Sequence, residues 1–282
     1  MTAPHIALIV TGDEAFNDFQ VFVKTLEVWH PDAALYIYTD SPTAAKISGL
    51  RCKPTLHLRT AMDAYVGLNR AMMEASAGRK YASLFTDYTY EKAEALRWVL
   101  GGEEAAAGVW FMDADIVHCA PLPSIPTTAE IALSPHMIRA ADERMFGKYN
   151  AGFFWIKNAA LIDVWCAAAP RSRFFEQAPL EEVAAAAAGA LHEFPVQVNF
   201  GWWRMYQGIE PPHAIQAKFG FNRADRSIGL RFQGAPIQSF HSHMFDRGTG
   251  ANGAFNKWLD GATAKFAAAH APLRGWRRTV GF

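Results

Sequence analysis

Residues 109–117 read Val-Trp-Phe-Met-Asp-Ala-Asp-Ile-Val, four apolar positions, an Asp-Ala-Asp, then apolar residues again. The apolar run has the composition of a strand buried on both faces. Aspartate is a poor strand former and costly to bury unpaired, so two of them here need a reason. In a parallel α/β sheet, ligands gather at the carboxyl ends of the strands. A central strand over 109–117 carries Asp113 and Asp115 to that edge. Residues two apart in a strand share a side, so two carboxylates about 6–7 Å apart repel unless something positive lies near them. A divalent cation is the economical solution.

The surrounding chain supports a sheet of this kind. His5–Gly12 (HIALIVTG) reads as a first strand without alternation. Residues 16–31 follow with Phe19, Phe22, Val23, Leu26 and Trp29 at helical spacing, ended by Pro31. Ala34–Asp40 (ALYIYTD) is a second strand, so the chain opens β-α-β, the signature of a parallel sheet. Segments 64–78 and 90–102 read as helices closed by glycine. Segments 129–136 and 149–158 read as strands, 161–170 as a short helix and 179–194 as an alanine-rich helix opened by Pro179 and Glu181-Glu182. Segments 196–208 and 236–245 are later strand candidates.

Composition narrows the function classes. The chain has 282 residues, 51 % of them hydrophobic, enough for a sizeable core. Lysine plus arginine equals aspartate plus glutamate at 27 each. That balance lacks the basic excess usual for nucleic-acid binding. Three scattered cysteines (Cys52, Cys119, Cys166) suggest neither a disulfide framework nor a paired-cysteine metal site, and fit a reducing compartment. The first apolar run is too short for a signal peptide, and no run of membrane-spanning length follows. The expectation is a cytoplasmic protein with no transmembrane segment. No linker or repeat is visible, so residues 1–282 read as one domain. A basic aromatic tail over about 271–282 suits an anionic membrane surface, allowing peripheral contact, although packing on the body is the simpler reading.

Several segments, taken in order, resemble the GT-A fold of nucleotide-sugar glycosyltransferases. Residues 108–123 (GVWFMDADIVHCAPLP) resemble that family's Asp-x-Asp segment. Residues 6–40 resemble its nucleotide-holding strand–helix–strand, and 88–100 its lysine-containing helix. Residues 148–158 (KYNAGFFWIKN) resemble the Asn-Ala-Gly strand of the glycogenin-like and plant-type retaining branches. Residues 237–245 (IQSFHSHMF) resemble the late strand that supplies a metal-binding histidine. The resemblance implies an α/β, Rossmann-like mixed sheet flanked by helices. It further implies a metal-dependent transferase that moves a sugar, with retention, from a nucleoside-diphosphate donor, UDP first, to an unknown glycan, lipid or protein acceptor.

By that resemblance, Asp115 is a direct ligand of Mn²⁺ or Mg²⁺, and Asp113 contacts the ribose or the metal. His241, preferred over His243, completes the protein ligands. Hard oxygen ligands suit either ion, and an imidazole tilts the set towards Mn²⁺. Asn150 and Gly152 are placed against the sugar, glycine permitting close backbone approach. Lys92 is expected to reach the donor. Thr11 and Asp40 are nucleotide candidates, Asp40 being equally a helix N-cap. Arg247 and Lys257 are the available cations for the diphosphate. Trp202, Trp203 and Arg204 are acceptor candidates, since aromatic faces stack on sugars and arginine pairs with anions. Three competing readings are a sugar-phosphate nucleotidyltransferase, for which the glycine-rich phosphate loop is lacking, a phosphatase-type hydrolase, whose Asp-x-Asp normally sits on the first strand and continues into Gly-Thr, and a non-catalytic nucleotide-sugar-binding domain.

Overall fold

The computed structural model describes residues 3–102, 107–222, 229–242 and 257. In chain order the elements are β1 (His5–Val10), α1 (Gly12–Trp29), β2 (Ala34–Thr39), α2 (Ser41–Ser48), β3 (Thr55–Thr60), α3 (Arg70–Ala75), α4 (Leu84–Leu100), β4 (Val109–Met112), β5 (Ile116–His118) and β6 (Ile131–Pro135). There follow α5 (Ala140–Phe146), β7 (Tyr149–Ile156), α6 (Ala160–Ala168), α7 (Leu180–Ala187), β8 (Leu191–Glu193), β9 (Phe200–Gly201), α8 (Trp203–Gln207) and α9 (Pro212–Gln216). The last are β10 (Phe219–Phe221), β11 (Leu230–Phe232), β12 (Ala235–Pro236) and β13 (Ser239–His241). No helix among the described residues is long and apolar enough to cross a membrane. The tail from 271 onward lies outside the described residues.

The main sheet runs β3-β2-β1-β4-β7-β6-β8. Strands β3, β2, β1 and β4 are mutually parallel, and β7 runs antiparallel to both β4 and β6. This is the α/β mixed sheet that the resemblance implies. β1 lies between β2 and β4, which are reached by connections to opposite sides, so a crevice opens at its carboxyl end. Its residues Ile6, Ala7, Leu8 and Val10 are fully buried, as a run without alternation requires. One face packs against α1 and α2 through Phe19, Phe22, Leu26 and Ile47. The other packs against α4, α6 and α7 through Leu96, Val99, Ile162 and Trp165. A third cluster, with Phe200, Phe232 and Phe240, lies under the two small sheets β10-β11-β12 and β5-β13-β9.

Four segment readings need correction. Residues 109–117 are not one strand. β4 ends at Met112, the chain turns through Asp113–Asp115, and β5 joins a different sheet. The helix read over 179–194 stops at Ala187, where Ala188 takes φ 38°, and Leu191–Glu193 becomes an edge strand paired with β6. Segment 196–208 is strand only at Phe200–Gly201 and then turns helical as α8. Segment 64–78 holds a single helical turn over 63–65 and a short helix, α3. The three cysteines are free.

His118 ends β5 inside the core. It is 1 % exposed, edge-on to Phe22 at 4.8 Å, and neither ring nitrogen has a hydrogen-bond partner among the described residues. Burial pushes its pKa down to about 3, with His30 adding to the effect. The unfolded chain therefore binds this proton near pH 6.5 while the folded chain refuses it. Stability falls as pH drops below that value, by up to about 1.4 kcal/mol per pH unit. His118→Leu removes this dependence, so its stability relative to the parent should be about 2 kcal/mol better at pH 5 than at pH 7. Urea unfolding at the two pH values checks this, and parallel curves for the two proteins would refute it.

Candidate metal and donor site

The turn after β4 is held by backbone pairing before any side chain acts. The Asp113 N–H donates to the Gly152 carbonyl at 2.8 Å, continuing the β4–β7 ladder by one bond. Beyond the turn, β5 pairs antiparallel with β13, and His241 lies opposite Ile116. Because Asp115 immediately precedes Ile116, this register brings the His241 ring to the Asp-x-Asp turn. His241 Nε2 lies 3.2 Å from Asp115 Oδ1 and 3.8 Å from Asp113 Oδ2. One ligand atom from each of the three side chains falls within 4.8 Å of the others. Two carboxylates and an imidazole form a hard-to-borderline donor set, which fits Mn²⁺ or Mg²⁺. Strand pairing, rather than alternation within one strand, makes Asp113 and Asp115 converge.

Gly152 has a packing task that the sequence does not disclose. A methyl group built there would collide with the Asp113 carboxylate and the His241 ring. The missing side chain makes room for these two groups, and Gly152 also lines the cleft. Gly152→Ala is therefore expected to displace one of them and weaken metal-dependent nucleotide binding by at least about tenfold. Calorimetry with Mn²⁺ and UDP checks it. Unchanged affinity would remove Gly152 from the support of the site.

Lys92 is buried, and its Nζ lies 3.2 Å from Asp113 Oδ1, 3.0 Å from Glu176 Oε1 and 3.2 Å from the Ala151 carbonyl. Burial works against its charge, but the Asp113 and Glu176 carboxylates outweigh it and hold the ammonium above the ordinary lysine range. Lys92 thus offsets part of the negative charge that the aspartates concentrate here. Glu176 was not anticipated. It sits between α6 and α7 after Phe174 and Phe175, and Phe175 takes φ 38°, a left-handed conformation rare for a bulky residue. The only local sign is a single carboxylate in the mostly apolar stretch FFEQAP.

Asn150 is also near the floor, but its Oδ1 already accepts from the Gly152 N–H and from Asn199 Nδ2, each at 3.1 Å. His136 lies at the end of β6, and its ring Nδ1 donates to the Gly147 carbonyl at 2.9 Å. Burial is the main reason its pKa is pushed down to about 4. These groups line a cleft of about 740 Å³ with Tyr88 and Asp18 on the β1 side, and Ile138, Phe146, Gln177 and Trp202 on the other.

Other sequence candidates fall elsewhere. Asp40 is the N-cap of α2. Its carboxylate accepts from the Thr43 N–H at 2.7 Å, the Thr43 hydroxyl at 2.9 Å and the Gly12 N–H at 3.0 Å, so the capping alternative describes it. Thr11 bonds the hydroxyl of Tyr88 at 2.9 Å and reaches the cleft only through that ring. Arg204 is not an anion partner. It is buried and donates to the carbonyls of Pro135 at 2.6 Å, His136 at 2.8 Å and Asn199, bracing the loops behind the site. Trp203 is 6 % exposed, fills the space above Gly201 and meets the His241 ring edge-on at 5.2 Å. It supports the imidazole, and both it and half-buried Trp202 line the cleft. Lys257 is an exposed helical position, and His243 and Arg247 lie outside the described residues.

No protein-family profile matches the chain, and no curated protein matches it. Solved structures do. The galactosyltransferase LgtC in complex with donor and acceptor sugar analogs aligns at TM-score 0.53 and 13 % identity, over 98 % of this chain and 99 % of that one. Mouse xyloside xylosyltransferase 1 aligns at TM-score 0.52 and 12 % identity, over 86 % of this chain and 98 % of that one. The glycosyltransferase GlyE of Streptococcus pneumoniae TIGR4 aligns at TM-score 0.55 and 11 % identity, over 100 % of this chain and 66 % of that one. At such identities the likeness is one of fold, and that fold is the GT-A fold of the glycosyltransferases.

Proposed function

We propose that this chain is a metal-dependent glycosyltransferase that takes a sugar from a nucleoside-diphosphate donor, UDP first, and gives it to a hydroxyl acceptor with retention of configuration. The observation that carries the reading is the Asp113, Asp115 and His241 cluster at the carboxyl end of β4, within the fold of sugar transferases. Mn²⁺ is the favoured ion, for the mixed oxygen and nitrogen donors. A bound divalent ion would neutralise the diphosphate as it leaves.

The chain's own residues supply the rest. Asp115 and His241 hold the ion side, while Asp113 is shared between it and Lys92. The nucleotide takes the crevice beyond β1, beside Tyr88, because that is where the strand order reverses. The sugar then faces Lys92, Glu176 and Gln177. In transfer, the bond from the anomeric carbon to the diphosphate oxygen breaks and its electron pair stays on that oxygen. A new bond forms to the acceptor oxygen. The acceptor proton passes to the leaving phosphate, so the chain needs no separate base. Trp202 serves the acceptor, with Trp203 behind it.

The test is calorimetry of UDP with Mn²⁺ and with EDTA, followed by hydrolysis of a panel of UDP- and GDP-sugars. Binding that requires Mn²⁺, with slow hydrolysis of one donor, is expected. Binding without any turnover favours a nucleotide-sugar-binding domain, and no nucleotide binding overturns the proposal.

A further inference from the structure

Lysine and arginine line the cleft at two described positions, Lys92 and Arg70. Lys92 is taken up by Asp113, Glu176 and the Ala151 carbonyl. Arg70 is not. Its Nε donates to Glu74 Oε1 at 2.7 Å, one turn further along α3, and its two Nη groups have no partner among the described residues. Aromatic rings place the guanidinium. Its carbon lies 4.7 Å from the centroid of the Phe85 ring and 5.4 Å from that of Phe175. Phe85 and Phe175 meet edge-on at 4.8 Å, Phe175 and Phe174 at 4.9 Å, and Phe174 and Phe146 again edge-on at 4.9 Å. Ring contacts thus make one continuous wall from α4 to α5, and Arg70, Phe85, Phe174 and Phe146 all line the cleft. Phe175, in the middle of the wall, holds its left-handed φ of 38°, which costs a bulky residue energy. That turn seats its ring beside Arg70 while the next residue, Glu176, reaches Lys92.

An arginine stacked by its face keeps its rim free. Contact with rings uses the plane of the guanidinium, whereas its hydrogen bonds leave along the edge. With Nε on Glu74, the remaining edge is the pair of Nη groups, a fork that matches two oxygens of a carboxylate or phosphate. Phe85, Tyr88, Thr89 and Lys92 recur at helical spacing as the cleft face of α4. From Lys92, beside Asp113, back to Phe85 is two turns of that helix, roughly 10 Å. Lys92 is buried, Phe85 half-buried and Arg70 exposed. The diphosphate belongs at the buried end, with the metal ligands. An anion at the exposed end, more than a sugar ring away, belongs to the molecule that enters last.

We infer that the acceptor is an anionic sugar, its ring against the wall of Phe85, Phe174 and Phe146 and its carboxylate or phosphate held by Arg70. This rests on the glycosyltransferase reading above, which places the donor at the metal end of the cleft.

The test compares methyl β-D-glucoside with methyl β-D-glucuronide and with methyl β-D-glucoside 6-phosphate. Binding to the full chain, preloaded with Mn²⁺ and UDP, is followed by calorimetry, with titrations into the same buffer lacking protein subtracted. At least one charged sugar should bind about fivefold tighter than the neutral one, the upper end for an ion pair open to solvent, and added salt should shrink the gain. A gain confined to one of the two names the group, carboxylate or phosphate. Arg70→Gln should bring the charged sugars down to the affinity of the neutral one. Arg70→Lys, which keeps the charge and loses the fork, should keep part of the gain. A cooperative urea transition identifies the folded variants. Charged sugars that bind no better than the neutral one overturn the inference, as does a gain that Arg70→Gln leaves intact. An Arg70-dependent preference for UDP-glucuronate over UDP-glucose, with the methyl glycosides blind to charge, assigns the arginine to the donor and also overturns it. The UDP loading step reports separately on the donor reading: UDP bound with a charge-blind response sinks only the anionic acceptor, and failure to bind UDP sinks the transferase.

Discussion

Asp115→Asn is expected to abolish transfer and to weaken Mn²⁺-dependent UDP binding by roughly 100-fold or more. Even partners that only orient a metal ligand cost about 10- to 100-fold in metal affinity when removed, so a direct anionic ligand belongs at or beyond the top of that range. Asparagine keeps the shape of the side chain and one acceptor oxygen, and removes the charge that a hard cation requires. The fold should not suffer. Asp115 is buried with Asp113 nearby, and neutralising one of two crowded carboxylates relieves repulsion. In EDTA the variant should therefore melt no lower than the parent. This pairing of outcomes separates a lost ligand from a broken site. If the variant binds UDP as the parent does, in a manner that still depends on Mn²⁺, Asp115 is not a ligand.

His241 gives a graded version of the same experiment. Its imidazole is fixed from three directions: β13 is paired on both sides, Trp203 lies edge-on to the ring, and Gly152 leaves it room. Those supports are long-range, and they explain which parts of the site the sequence could disclose. The β-α-β opening is local. Unbroken apolar runs and a helix with apolar residues at regular spacing make it legible. The Asp-Ala-Asp is also legible, because carboxylates after an apolar run are conspicuous. The break in the strand at Asp113 is not, since β5 exists only where β13, itself backed by β9, comes to pair with it. The same holds for segment 196–208. Its aromatic residues favour a strand in isolation, yet the turn at Trp202 and the burial of Trp203 over Gly201 impose a helix.

Arg204 and Asp40 share a related ambiguity. A charged residue beside aromatic or strand-end positions resembles a ligand until its partners are known. Four backbone carbonyls around Arg204 and three donors around Asp40 use those side chains to hold loops in place. The Arg204 partners come mostly from distant segments, so no local pattern announces them, whereas two of Asp40's donors come from Thr43, the local N-cap pattern. Glu176 is the converse case, a residue without a motif whose meaning comes entirely from Lys92 across the cleft.

That pair carries the largest stability effect expected in the molecule. Lys92→Met should destabilise the fold by about 3 kcal/mol at pH 7. Removing one partner of a buried ion pair typically costs about 3–5 kcal/mol, because the remaining charge stays buried without compensation. Here two carboxylates are stranded, Asp113 and Glu176. The lower end applies because Asp113 keeps 33 % of its side chain in contact with solvent, which screens it. The sign with pH follows from the raised lysine pKa. Its contribution is complete below the unfolded value of about 10.4 and is lost only as pH rises through the still higher folded value, so neutral conditions display all of it. Adding Glu176→Gln to Lys92→Met removes one of the stranded charges and should restore more than half of the loss, while leaving donor hydrolysis impaired because the sugar-facing cation is still missing. Urea unfolding of the two single variants and the double variant gives the coupling directly. A loss below about 1 kcal/mol for Lys92→Met is the size of an exposed pair, and would mean that the lysine, Asp113 and Glu176 do not meet in a buried cluster at the floor of the cleft.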